Sequence, residues 1–139
     1  MPVETVHSTH PPTVAQAGAM AAAFAHSPTA TGVCDEDGRL VQINNSLARL
    51  LQRPASDILG RPFLAFVHPD ERAASLACYF NAVVNAAAAR HAAEPEPCQL
   101  RCLTGTDTVL HTSVTWTVTA PDTSGHQYGV VHVVNTALR

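Results

Sequence analysis

The chain has 139 residues, 46% of them hydrophobic and 14% charged, a formal net charge of −3 and no lysine. That length makes one domain able to bury about two-thirds of the surface its unfolded chain exposes, and that charge leaves no basic footprint for nucleic acid. No apolar run reaches the length of a membrane span, and "MPVETVHSTHPP" lacks the basic start and apolar centre of a signal peptide.

Met1 to Pro12 reads as a flexible N-terminus (residues 1–12). "TVAQAGAMAAAFAHS" then predicts an alanine-rich flanking helix over 13–26, with Thr13 as N-cap and Pro28 as its stop. Val14, Ala17, Met20, Ala21 and Phe24 share one face, which lies either on its own sheet or on a second copy of itself. In "TGVCDEDGRLVQIN" two short apolar runs flank an acidic glycine turn, the pattern of a β-hairpin. Pairing Val33 with Val41 puts Thr31, Val33, Val41 and Ile43 on one face, and Cys34, Leu40 and Gln42 on the other. Asn44 and Asn45 cap a short helix carrying Leu47, Leu50 and Leu51; another starts at Pro54 and closes at Gly60.

"ILGRPFLAFVHPDER" is a run of helix punctuation. Gly60 ends one helix, Pro62 opens the short "PFLAFV", and His68-Pro69-Asp70-Glu71 sets acids at the N-terminus of the longest helix. That helix, "ERAASLACYFNAVVNAAAAR", has Leu76, Tyr79, Phe80, Val83 and Val84 as its apolar stripe. After the acidic, proline-rich loop "HAAEPEP" the period switches to two. "CQLRCLT", "TVLHTSVTWTVT" and "HQYGVVHVVN" are antiparallel strands joined through "GTD" and "APDTSG". Cys98, Leu100 and Cys102 share a face of the first; Leu110, Val114, Trp116 and Val118 share one of the second.

In this order of elements the chain resembles a PAS domain, the sensory module of bacterial kinases, cyclases and transcription regulators. The resemblance is carried by "SPTATGVCDEDGRLVQIN", "LGRPFLAFVHPDER", "QLRCLTGTDTVLHTSVTW" and the final "YGVVHVVN", and spans Phe24 to Asn135. It implies an α+β PAS fold over 27–139: a five-stranded antiparallel sheet in order 2-1-5-4-3, short helices and one long helix on one face, and the N-terminal helix. It also implies a cytoplasmic sensory or regulatory domain rather than an enzyme. Such a domain relays its signal to an output domain or partner protein through a homodimer made by the N-terminal helix, and relatives continue past the last strand into a connecting helix.

Haem-binding relatives carry a histidine early in the long helix; Leu76 stands there, and His68 reads as a helix cap, so haem is not expected. Photosensing relatives carry Asn-Cys-Arg where this chain has Arg61-Pro62-Phe63, so flavin is not expected either. Cys34, Cys78, Cys98 and Cys102 read as free thiols of a reducing cytoplasm, used for small apolar packing. Cys98 and Cys102 lie about 13 Å apart along one strand, too far for a disulfide and awkward for a shared zinc ion, and Cys34 points the other way. No nucleophile elbow, phosphate loop or paired-carboxylate site is present, and no metal site is expected.

What remains is a pocket between sheet and helices. Its expected walls are Val33, Val41, Ile43, Phe63, Phe66, Leu76, Tyr79, Phe80, Leu100, Cys102, Val114 and Trp116. With so few polar groups the expected ligand is small, neutral and largely apolar. The alternative is a filled core in a pure protein-interaction or dimerisation module.

Overall fold

Two-residue alternation of apolar side chains builds the sheet. In a computed structural model describing residues 13–88, 96–119 and 123–136, the strands are β1 (Ala30–Cys34), β2 (Leu40–Ile43), β3 (Cys98–Leu103), β4 (Val109–Val118) and β5 (Gly129–Asn135). They form one antiparallel five-stranded sheet in the expected order, β2-β1-β5-β4-β3. Met1–Pro12, most of the loop "HAAEPEP" and half of "APDTSG" lie outside the described residues. Cross-strand partners define the inner face: Gly32 opposite Val131, Val131 opposite Trp116, Val133 opposite Val114, and Val114 opposite Cys98.

The first hairpin departs from the expected parity. Its register runs Gly32↔Ile43, Val33↔Gln42, Cys34↔Leu40, with a bulge between Val33 and Cys34 that steps past Val41. Val33 therefore faces Gln42, not Val41. Cys34 and Leu40 turn inward at 0% exposure, and Cys34 shares its face with Cys98 and Cys102 instead of opposing them. One extra residue in one strand is enough to move a side chain to the other face.

The helices start where cap chemistry puts them. Thr13 and Gln16 form a capping box on α1 (Val14–His26), yet that helix buries none of its residues. The buried Asn44 side chain accepts from Leu47 N at 3.0 Å, capping α2 (Asn45–Leu51), and from Thr31 N at 3.0 Å, tying the helix to β1. Pro54 occupies the N-cap of α3 (Ala55–Ile58) rather than its first turn, and Gly60 reverses the chain at φ +84°. The 3₁₀ turns Phe63–Phe66 and Pro69–Glu71 lead into α4 (Arg72–Ala88). His68 Nδ1 accepts from Asp70 N at 3.1 Å, the capping role its sequence position implied.

The segment from Gly60 to Glu71 is a strap. At β2 it gives Gly60 N to Leu40 O and takes Leu40 N on Arg61 O, each at 2.8 Å. At β3 it gives His68 N to Arg101 O at 2.9 Å, and the Glu71 carboxylate accepts from both the backbone N–H and the guanidinium of Arg101. Part of each edge of the sheet is thereby covered.

α4 lies on the sheet through its small residues. Ser75 and Cys78 are buried, while Leu76, Phe80 and Val84 of the expected stripe point outward at 43, 58 and 63% exposure. A disulfide joins Cys78 to Cys98, with Cα atoms 6.6 Å apart, which corrects the expectation of free thiols for this pair. The pairing that fails along one strand succeeds between two layers. Closing a chain separation of 20 residues is worth about 3 kcal/mol against the unfolded state in the chain-entropy model. Cys34 and Cys102 remain free and buried.

Two outcomes follow for stability. Gly105 donates its N–H to Leu51 O at 2.9 Å, and a Cβ there would meet the Gln52 carbonyl and lie 3.0 Å from Arg53 Cγ. Gly105→Ala is expected to lower unfolding free energy by about 1–3 kcal/mol in urea titrations with an unchanged slope. The Arg101 backbone N–H, followed by its side chain, holds the Glu71 carboxyl below its ordinary value of 4.5, against an opposing effect of burial. A depressed folded pKa gives stability that is complete above that value and drains as pH falls through the folded pKa. Glu71→Gln should therefore cost about 1 kcal/mol at neutral pH, with the gap to the wild type closing in acid, as read by urea midpoints across pH.

Candidate functional site

The layer between sheet and helices is organised around the chain's single tryptophan. Trp116 occupies an inward position of β4 and is 6% exposed. Phe63 from the strap meets it edge-on at 5.7 Å and 89°, and Tyr79 from α4 at 5.0 Å and 76°. Such edge contacts orient rings beyond what area burial alone would do. Gly129 makes room beneath them, since a Cβ there would sit 3.2 Å from both Trp116 Cζ3 and Tyr79 Cε1. Among the described residues nothing accepts a hydrogen bond from Trp116 Nε1, a buried donor. Leaving a buried N–H unpaired costs about 1–3 kcal/mol.

The thiols and the phenol nearby are neutral. Burial, with Asp35 adding to it, pushes the Cys34 thiol up to about 12; burial also raises Cys102, whose Sγ lies 3.6 Å from Thr112 Oγ1. Both thiols stay protonated and act as small apolar groups. Burial likewise raises Tyr79, so its phenol is neutral too. Arg53, half-buried, stacks over the Phe66 ring at 5.2 Å and donates from Nη2 to Thr104 O at 3.3 Å, while its Nε has no acceptor among the described residues. Among the described residues no cluster of three His, Cys, Asp or Glu side chains gathers as metal ligands.

Of the expected wall, Phe63, Phe66, Leu100, Cys102, Val114 and Trp116 are buried together, and Ile43 and Tyr79 pack partly buried against them. Val33 lies on the opposite sheet face, and Val41, Leu76 and Phe80 point to solvent at 50, 43 and 58% exposure. Leu76, which stands where haem-binding relatives place a histidine, thus faces away from the layer. The sequence reading missed Cys34, Leu40, Val67, Cys78, Val131 and Val133, all of which are buried in this core. The alternation in "YGVVHVVN" is the signal for Val131 and Val133; Cys78 had no local signal at all. A separate open groove of about 510 Å³ lies between Pro28–Ala30, α2 and the end of β5. There Arg49 Nη2 donates to Ser46 Oγ at 3.4 Å.

The family profile described as the PAS fold matches residues 24–135. No curated protein matches the chain in sequence. A PAS domain from Colwellia psychrerythraea superposes with a TM-score of 0.75 at 15% identity, over 88% of this chain and 98% of that one. The LOV protein of Rhodobacter sphaeroides gives 0.70 at 16% identity, over 90% of this chain and 69% of that one. A PAS domain of an HTR-like protein from Haloarcula marismortui gives 0.63 at 16%, over 86% and 90%. At such identities the solved structures speak for the fold alone. With the profile spanning most of its length and the sheet in the expected order, the chain belongs to the PAS-fold family.

Proposed function

We propose that this chain is a non-catalytic, cytoplasmic PAS sensory or regulatory domain. It takes a small, neutral, largely apolar ligand against Trp116 and relays its presence through a dimer to an output domain. The observation that carries the reading is the buried indole N–H of Trp116, which lacks an acceptor among the described residues inside an aromatic layer. A ligand that supplies the missing acceptor bears at least one carbonyl, ether or hydroxyl oxygen. Family membership supports the sensory role, and no helix among the described residues is long and apolar enough to cross a membrane.

The dimer reading rests on α1. A helix of 13 residues is marginal alone in water, and this one, with Val14 at 92% and Met20 at 63% exposure, has only Phe24 and Ala25 half-buried in the monomer. A second copy supplies the missing apolar surface. A second functional reading, a protein-interaction module with a filled core, is favoured by the exposed stripe Leu76, Phe80 and Val84 on α4.

Native mass spectrometry of freshly purified protein is expected to retain a small molecule that denaturation releases, and adding it back should change the emission of the single tryptophan. Trp116→Phe, which keeps an aromatic ring but loses the donor, should weaken that binding about threefold to tenfold. If no mass is retained and a metabolite panel gives no thermal shift, the interaction module replaces the sensor. Separately, deleting residues 1–26 should convert a dimer to a monomer in sedimentation velocity; an unchanged oligomeric state would remove α1 from the interface.

A further inference from the structure

We propose that Cys78–Cys98 is a reversible thiol–disulfide site that latches α4 to the edge strand β3 and thereby sets how Tyr79 packs on Trp116. The pair joins two layers. Cys78 lies on the inward face of α4 at 7% exposure, and Cys98 is the first residue of β3, partly buried at the sheet edge. Exchange with a small thiol therefore begins at Cys98, the more accessible sulfur, with Cys78 as the leaving group.

The site is selective. The remaining cysteines, Cys34 and Cys102, are fully buried at 0% exposure, and burial keeps them protonated, so neither competes for the exchange. The fold has other fastenings on both sides of the latch. The strap holds β3 at Arg101 through His68 and Glu71, and the core cluster continues through Phe63, Val114 and Val131. Opening the bond thus frees the middle of α4 without dissolving the sheet. The next residue along the helix is Tyr79, whose ring rests on Trp116 at 5.0 Å, so the state of the bond is felt inside the layer. This holds whether or not that layer carries a ligand.

The chemistry balances with a low-molecular-weight disulfide as oxidant. The Cys98 thiolate attacks the external disulfide and expels one thiolate, forming a mixed disulfide. The Cys78 thiolate then attacks the Cys98 sulfur and expels the second. Two electrons pass from the cysteine pair to the external disulfide, and the two thiol protons end on the released thiols. Reduction runs the same steps backwards, starting with an external thiolate at Cys98.

The test is a titration of the whole chain through glutathione buffers from fully reduced to fully oxidised, with acid quenching, alkylation and peptide mapping. Cys78 and Cys98 should titrate together as one two-electron transition, with Cys34 and Cys102 unmodified. Trp116 emission should shift along the same curve while far-UV dichroism stays constant, and proteolysis within α4 should speed up at least about tenfold on reduction. Cys98→Ser should hold the emission at its reduced value in every buffer; should that variant fail to fold, the wild-type titration decides alone. A pair that stays oxidised in fully reduced glutathione, an emission that ignores the transition, or dichroism that collapses with it overturns the proposal.

Discussion

The constraint on which the structure depends is the strap from Gly60 to Glu71, hydrogen-bonded to the outermost strand on each side of the sheet. An open antiparallel sheet leaves unpaired N–H and C=O groups along both edges, and most folds cover them with separate devices. Here one segment covers part of each. The same span carries Phe63 and Phe66, 2% and 1% exposed, into the layer between. Pro62 and Pro69 suit the path: each fixes φ and lacks an N–H, as a chain alternating extended stretches with single 3₁₀ turns requires.

Contact between layers is decided by the smallest side chains. Gly105 lets the β3–β4 turn touch the backbone after α2, and Gly129 seats two rings above β5. Ser75, Cys78 and Ala82 let α4 settle close to the sheet. Close approach on one side of a helix forces its bulk to the other. That is why Leu76, Phe80 and Val84 face solvent, although by hydrophobicity alone they would be first to be buried.

This also explains what was legible in the sequence. Strand alternation and cap chemistry are local, so the sheet order and the caps at Thr13, Asn44 and His68 could be read from residue types and the family pattern. The face of a helix is local only when its apolar stripe is unambiguous. α4 carries apolar residues nearly all round, so its pattern does not reveal that Leu76 and Phe80 face solvent. Parity along a strand is local only without a bulge: the extra residue Val41 puts Leu40 and Ile43 on one face of β2, while Val33 lies outward by the plain alternation of β1. The Cys78–Cys98 bond and the orphaned indole N–H are relations between layers, to which no spacing in the chain corresponds.

These relations converge on one short stretch. β3 is fastened to the start of α4 through the Glu71–Arg101 contacts, and to its second turn through Cys78–Cys98. Between these points helix and strand are fastened at both ends. Beyond Cys78, α4 is held among the described residues mainly by Tyr79 on Trp116 and by Ala82 on the core. A change in what surrounds Trp116 therefore cannot shift the first turns of α4 without breaking the strap. It acts on the later turns, through Tyr79. Packed interfaces respond to such pressure by switching between discrete arrangements rather than by bending. The place to look for a second arrangement is thus the half of α4 beyond Cys78, where the exposed Phe80 and Val84 would be the side chains to change partners.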